Sequence, residues 1–225
     1  MARMPTDIHW SLRGEPVSLL AERALFWPGG RALFVADLHW GKTAAFRSHA
    51  GPLPTGTTAA DLARLDAVLD RTGAAELLIL GDLFHAREGR TRATLAALAA
   101  WRSARPELAI TLVRGNHDLR AGDPPESLRI TCVDAPHRVG PFVLYHHPPE
   151  ESTEAGYWLA GHLHPVALLG GAGRQRLRLP CFALGERGGL LPAFGSFTGG
   201  APVSGNAAYQ FWVIADDEVI ALPRG

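Results

Sequence analysis

The sequence has 225 residues, 47% of them hydrophobic, and its 22 basic residues balance its 22 acidic ones. This length and composition suffice to fill the core of one domain, and zero net charge excludes a bulk attraction for nucleic acid. No apolar run approaches the roughly 18 residues of a membrane span, and the first residues lack the apolar centre of a secretory signal. We expect one soluble domain over residues 1–225 that stays in the cytoplasm, with no membrane contact.

The predicted elements alternate between strands and helices in the first half of the chain. A hairpin at 17–20 and 24–27 precedes strands at 31–36, 77–80, 108–113, 142–145 and 157–160 and helices at 57–71 and 91–103. Short strands follow at 166–169, 174–179, 182–184, 210–215 and 218–222. This order predicts an α/β core whose sheet packs against a second, more antiparallel sheet.

The cysteine and histidine contents point away from one kind of metal site and toward another. Cys132 and Cys181 are far apart and form no C-x-x-C pair, so neither a disulfide framework nor a thiolate zinc site is indicated. Seven of the ten histidines, by contrast, lie in short clusters with Asp, Asn or a second His. These seven are His39, His85, His117, His146, His147, His162 and His164.

Five predicted strands end in side chains typical of metal ligands. In chain order these are Asp37 and His39, Asp82, Asn116 and His117, His146, and His162 and His164. Each group alone has an ordinary explanation as a turn or a helix cap. Ligands of an open α/β sheet bind beyond the carboxyl ends of its strands, however, so five such groups in succession predict convergence at one site.

The donor atoms favour a pair of moderately hard divalent ions. Carboxylate, imidazole and amide donors without a thiolate suit Mn²⁺, Fe²⁺ or Zn²⁺. The set is too large for one ion that also keeps an open position, so two ions are expected. The predicted ligands are Asp37, His39, Asp82, Asn116, His146, His162 and His164.

The order D-x-H, GD, GNHD, a His after a strand and GHxH resembles the calcineurin-like metallophosphoesterase superfamily over residues 31–165. The resemblance implies a four-layer α-β-β-α sandwich of two packed mixed sheets, with a binuclear centre in which Asp82 bridges. One ion would be held by Asp37, His39, Asp82 and His164, and the other by Asp82, Asn116, His146 and His162. In such sites a shared water becomes a bridging hydroxide that attacks phosphorus in line.

The resemblance also implies roles beside the ligands. His117 resembles the family's histidine that assists the leaving oxygen, and Asp118 would orient and charge that imidazole. His146 is favoured over His147 because it follows the strand directly. His85 departs from the widespread GDxxD form. It would contact a metal ligand without binding the metal itself, contact the substrate, or form a hydrogen bond in a helical region.

A closer resemblance covers nearly the whole chain. The segments ADLHWGKTAAFRSHAGPLP at 36–54, GDLFH at 81–85 and LPAFGSFTGG at 191–200 resemble the bacterial ligase-associated DNA damage response phosphoesterases. This resemblance implies a Mn²⁺-dependent phosphodiesterase or endonuclease acting on nucleic acid in DNA repair. It also implies association with a DNA ligase, an exonuclease and a helicase.

Cations near the motifs would contact a phosphodiester backbone. Lys42 and Arg47 follow the first motif, and a second group, Arg87, Arg90 and Arg92, follows GDLFH. A coding bias toward arginine is the alternative explanation, since Lys42 is the only lysine. Residues Arg174, Arg176 and Arg178 would share one strand face, and whether that face looks toward the site stays open. No base-reading motif is present, so contact with the backbone is expected.

Two other functions fit the same pattern. A small-molecule nucleotide phosphodiesterase or phosphomonoesterase would use the same binuclear centre, with the residues around the entrance to the metal site closer together. A scaffold that has lost its metals is the second possibility, but every ligand position holds a competent side chain.

Overall fold

A computed structural model describes residues 5–50, 57–150, 155–170, 176–196, 198–203 and 208–223, without the side chains of residues 47–50. In these residues two β-sheets pack face to face, and helices cover the outer face of the first. None of the described helices combines the length and apolar character needed to span a bilayer.

The first sheet contains seven strands in chain order. They are β1 (Ile8–Leu12), β2 (Glu15–Leu20), β3 (Ala24–Trp27), β4 (Ala32–Val35), β5 (Glu76–Leu80), β6 (Ala109–Val113) and β7 (Thr131–Val133). Strands β1 to β4 pair antiparallel, whereas β4 to β7 pair parallel. Parallel neighbours need a crossover connection, and the helices supply it.

Four helices occur in the described residues. They are α1 (Lys42–Ala50), α2 (Thr57–Thr72), α3 (Arg92–Ala104) and α4 (Asn116–Ala121), with short 3₁₀ helices at Pro28–Gly30, Arg87–Gly89 and Glu126–Leu128. Leu65 and Val68 of α2 and Leu98 of α3 are buried against the sheet. Because the parallel strands are covered on both faces, β4 and β5 are almost continuously apolar.

The second sheet contains nine described strands. They are β8 (His137–Val139), β9 (Phe142–Leu144), β10 (Tyr157–Ala160), β11 (Pro165–Gly170), β12 (Arg176–Gly185), β13 (Gly188–Leu190), β14 (Ala201–Pro202), β15 (Tyr209–Ala215) and β16 (Glu218–Ala221). The pairing is mixed, for β9 and β10 run parallel while β11 and β12 run antiparallel. Its inner face packs on the first sheet, where the rings of Phe34 and Phe142 lie 5.4 Å apart.

The predicted α/β class with two packed mixed sheets is confirmed, with two differences. The strands predicted at 174–179 and 182–184 form one strand, β12, because its pairing moves without a break from β11 at Pro180 to β15 at Cys181. The described residues contain no α-helix after Ala121, so an outer helical layer over the second sheet has no counterpart in them.

Candidate metal centre

The predicted ligands meet at the edge where strands of both sheets end. The first sheet contributes Asp37 and His39 after β4, Asp82 after β5 and Asn116 at the start of α4. The second sheet contributes His146 after β9, and His162 and His164 after β10. The structure therefore brings together all seven residues from five separate segments.

Five of these residues have a left-handed backbone. The φ angles are 54° at Asp37, 47° at His39, 54° at Asp82, 66° at His162 and 45° at His164. This conformation is uncommon outside glycine and costs about 1–3 kcal/mol per residue. Such strain typically gathers at functional sites, where the surrounding fold holds it in place.

One cluster contains Asp37, His39 and His164, whose ligand atoms all lie within 4.8 Å of one another. The Nε2 atoms of His39 and His164 are 3.4 Å apart. Asp37 Oδ1 lies 3.4 Å from His164 Nε2. Asp82 Oδ2 lies 3.7 Å from His39 Nε2, so this carboxylate borders the cluster.

A second cluster surrounds His146 Nε2. That nitrogen lies 3.0 Å from Asn116 Oδ1, 3.2 Å from His162 Nδ1 and 3.5 Å from Asp82 Oδ1. The two oxygens of Asp82 thus face different clusters, as the oxygens of a bridging carboxylate do.

These residues fit a pair of divalent cations. Ligand atoms 2.0–2.1 Å from one ion and 90–110° apart are separated by about 2.9–3.4 Å, and most of the separations above fall in this range. Asp37 Oδ1 is buried and has no hydrogen-bond partner among the residues that the structure describes. Because a buried carboxylate oxygen is normally paired or bound to a metal, this oxygen fits the position of a ligand.

Backbone carbonyls orient two of the imidazoles. Nδ1–H of His146 donates to Leu80 O and Nδ1–H of His164 donates to Gly199 O, each at 3.0 Å. With that proton on Nδ1, each Nε2 keeps its lone pair for a metal ion.

The choice between His146 and His147 follows from their positions. His146 is buried among the ligands, whereas His147 is exposed, with its ring 3.8 Å from that of His162. These positions favour His146 as the ligand.

The glycines that precede two ligands leave room for neighbouring side chains. Gly81 has φ 82°, and a Cβ there would lie 2.1 Å from His146 Nδ1. A Cβ on Gly115 would lie 2.3 Å from Asp82 Oδ1. The GD and GN pairs of the motifs therefore allow the backbone to approach the ligands closely.

Burial shifts the pKa values of three of the predicted ligands. It lowers the pKa of His39 to about 2, with His164 and Lys42 adding to the effect, and lowers that of His162 to about 4. These imidazoles are therefore neutral and able to bind a metal. Burial raises the pKa of Asp82, and the charge of Asp37 adds to this. Nearby cations would instead favour ionised carboxylates.

The predicted contact between Asp118 and His117 is wrong. The buried Asp118 carboxylate accepts hydrogen bonds from the backbone N–H groups of Asp82, Leu83 and Gly115 at 2.8–2.9 Å. Asp118 is the third residue of α4, so its side chain points back to the start of the helix. It therefore holds the loop that carries Asp82 and does not orient His117.

We expect Asp118→Asn to destabilise the protein by about 1–3 kcal/mol, because an amide leaves at least one buried N–H without an acceptor. Urea unfolding with chelator present, followed by tryptophan fluorescence, measures this change apart from metal binding. Asp123→Asn is the matched control, since Asp123 is half exposed and pairs with Arg114 on the surface. Equal losses in the two variants would contradict the positioning role.

His117 and His85 lie together beside the ligands. His117 Nδ1 lies 2.5 Å from His85 O, and its Nε2 lies 3.9 Å from Asp82 Oδ2. The ring of His85 stacks on His117 at 4.9 Å and on Phe46 at 5.4 Å. Phe46 was not predicted to lie at the site, although it is an aromatic residue that follows the D-x-H motif closely in sequence.

The predicted rim cations have different positions. Lys42 directly follows the loop of His39, to whose carbonyl its backbone N–H donates at 3.1 Å. Burial lowers the pKa of its ammonium, while the charge of Asp82 opposes the shift. Arg87 and Arg92 are exposed. Arg90 donates to Ala121 O at 2.7 Å and covers the ring of Phe84, which gives it a structural role. The side chain of Arg47 lies outside the described residues.

Residues 193–196, which follow β13, contact the loop that carries Asp37. Phe194 N donates to Ala36 O at 2.7 Å and Gly195 N donates to Asp37 O at 3.2 Å. Asp61 is buried in α2 and accepts from the Oγ of Ser196 at 2.5 Å. The contact of Asp61 with this segment was not predicted. The sequence feature that could have indicated it is a carboxylate next to the apolar positions of a predicted helix.

Comparisons with known proteins identify the family of this chain. The family model for calcineurin-like phosphoesterases matches residues 30–160. The crystal structure of Pseudomonas putida nuclease MPE is similar, with a TM-score of 0.85 and 44% identity over 96% of this chain and 100% of that chain. A phosphoesterase from E. coli, Yfce, has a TM-score of 0.40 and 17% identity over 82% of this chain and 88% of that chain.

A search of curated proteins found no match. The matched family model runs from β4 through β10, and the similarity to the nuclease extends over nearly all the rest. The chain belongs to the calcineurin-like phosphoesterase family.

Proposed function

We propose that this chain is a divalent-metal-dependent phosphodiesterase that cleaves nucleic acid and acts in DNA repair. The observation that carries the proposal is the position of Asp82, whose two oxygens face separate clusters of ligand atoms. The 44% identity with a nuclease over 96% of the chain supports nucleic acid as the substrate. Mn²⁺ is the proposed ion, and Fe²⁺ or Zn²⁺ also suit these donors.

The proposed ligand sets follow the two clusters. Asp37, His39, Asp82 and His164 would hold one ion, and Asp82, Asn116, His146 and His162 the other. Two such ions would acidify a water and neutralise phosphate oxygens. The chain orients His146 and His164 through the carbonyls of Leu80 and Gly199, and four of the ligands are buried, namely Asp37, His39, Asp82 and His146.

His117 is the proposed general acid. Its Nδ1–H donates to the carbonyl of His85, so Nε2 is the nitrogen left to face the reacting phosphate, and in the doubly protonated ring Nε2–H would give its proton to the leaving oxygen. Lys42 follows the loop that carries His39, and His85 stacks on His117, so both would contact the substrate. Arg87 remains a proposed contact from the exposed edge.

The proposed function also implies a domain organisation, protein partners and a cellular location. We propose that residues 1–225 act as one domain, since the two described sheets share a core of buried side chains. The resemblance noted in the sequence suggests partners among a DNA ligase, an exonuclease and a helicase, and a cytoplasmic site of action where DNA is present.

A substrate panel tests the function. With Mn²⁺, we expect faster hydrolysis of bis(p-nitrophenyl) phosphate than of p-nitrophenyl phosphate, and cleavage of linear, nicked or closed DNA. Metal analysis of protein purified without chelator should give two ions per chain. Activity on the monoester alone would contradict a diesterase. Activity on free or cyclic nucleotides without DNA cleavage would indicate a small-molecule enzyme.

A further inference from the structure

A cavity of about 260 Å³ adjoins the metal centre, and His164 forms part of its wall. Arg23, Arg178, Ser196 and Thr198 also line it, and we call it the arginine pocket. Its described lining residues include no Asp or Glu. The pocket thus places two permanent cations beside a proposed metal ligand in a protein whose net charge is zero.

The two arginines reach the pocket from separate parts of the fold. Arg23 lies in the turn between β2 and β3, and Arg178 lies in β12. Of the three arginines predicted to share a strand face, Arg178 lines this pocket, whereas Arg174 lies outside the described residues. Arg176 is exposed and does not line the pocket.

Both guanidinium groups keep donors available. Arg178 donates to Gly200 O at 2.7 Å, and Arg23 makes a 3.4 Å contact with Gly195 O. Within the described residues neither arginine forms an ion pair with a carboxylate. A guanidinium carries five N–H donors, so most of them remain free to hold an anion.

The environment of Arg23 favours an anionic partner. Burial lowers the pKa of Arg23, and the positive charge of Arg64 lowers it further against the effect of Asp61. A neighbouring cavity of about 470 Å³ is also lined by Arg23 and Arg178, but Asp216 and Asp217 lie in its wall. The part best suited to an anion is therefore the part next to His164.

We propose that the arginine pocket binds a backbone phosphate of the substrate strand, adjacent to the phosphate that is cleaved. This inference rests on the proposed function. Arginine forks match phosphate oxygens in bidentate geometry, and a contact with the backbone needs no reading of bases. A substrate with one phosphate reaches only the metal centre, whereas a strand fills the pocket as well.

The test compares a strand with a single-phosphate substrate. For Arg178→Gln in the metal-loaded full chain, we expect the KM for a single-stranded oligothymidylate to rise about tenfold, as for a lost charged hydrogen bond. The slope of log(kcat/KM) against log salt concentration should become shallower by about 0.7, the value for one phosphate contact on a single strand. Hydrolysis of bis(p-nitrophenyl) phosphate should not change.

Two further variants complete the design. Arg23→Gln should reproduce both changes independently, because its side chain reaches the same pocket from another element. Arg187→Gln is the matched control, since Arg187 is exposed in the turn after β12 and lies outside the pocket lining. It should behave as the unmodified protein does.

The outcomes separate the two proposals. If the unmodified protein cleaves the oligonucleotide and the Arg178 and Arg23 variants match the Arg187 control, the pocket proposal fails and the proposed function stands. If the unmodified protein hydrolyses the small diester but no oligonucleotide, both proposals fail. A parallel loss of small-diester hydrolysis in the Arg178 variant would show that Arg178 acts through the loop beside His164, which also overturns the pocket.

Discussion

Asp82→Asn is expected to abolish turnover of both DNA and bis(p-nitrophenyl) phosphate while the protein stays folded. An amide has one oxygen in place of two and no negative charge, so it cannot face both ligand clusters as the carboxylate does. The loss should be at least about 10²–10³-fold, the typical cost of removing one preorganised electrostatic group. Steady-state rates with each substrate measure the loss.

Folding and metal content complete this experiment. The amide has nearly the shape of the carboxylate and can still accept the hydrogen bond of His117 N–H through Oδ1, so the urea midpoint with chelator should not fall. Elemental analysis should show a reduced metal content. Asp70→Asn is the control, because Asp70 forms an exposed pair with Arg105. Unchanged turnover in the Asp82 variant would favour a scaffold or a different centre.

His117→Asn is expected to lower the rate of DNA cleavage by about 10²–10⁴-fold while two ions remain bound. Asparagine fills much of the same space but cannot deliver a proton to a leaving oxygen. Because nitrophenolate is a much weaker base than a nucleoside alkoxide, hydrolysis of bis(p-nitrophenyl) phosphate should fall far less. Single-turnover rates with both substrates distinguish a proton donor from a binding residue.

The control for this prediction lies on the other side of the centre. His147 is exposed beside His162, so His147→Asn should retain both the metal and the activity if His146 is the ligand. A parallel loss of metal and rate in the His117 variant would make His117 a structural residue. Loss of metal in the His147 variant would reverse the choice between the two neighbouring histidines.

Much of the site was predictable because its ligands sit where regular strands end. The runs before Asp37, Asp82 and His162 are apolar and short, and parallel strands place their carboxyl ends at one edge. The fold class was predictable for the same reason, since strands and helices alternate and then give way to short strands.

Other features depend on tertiary contacts that no local pattern reveals. Asp118 is adjacent to His117 in sequence, yet the helical turn at the start of α4 directs its carboxylate to the backbone of another loop. Helix α1 was not predicted, for its sequence has no regular apolar face. The position of Arg23 beside the site was not predictable either, because the turn that carries it meets Arg178 only in the folded chain.

The strained backbone at the ligand positions has a consequence for metal selectivity. Asp37 N donates to Gly81 O and His39 N donates to Asp82 O, so the loops are tied to each other by the chain itself before any ion arrives. Because the loops are tied to each other, the ligand atoms have little freedom to move closer together or farther apart around ions of different radius. Occupancy in the cell would then follow the supply of each transition metal and its fit to this fixed geometry more than its intrinsic affinity.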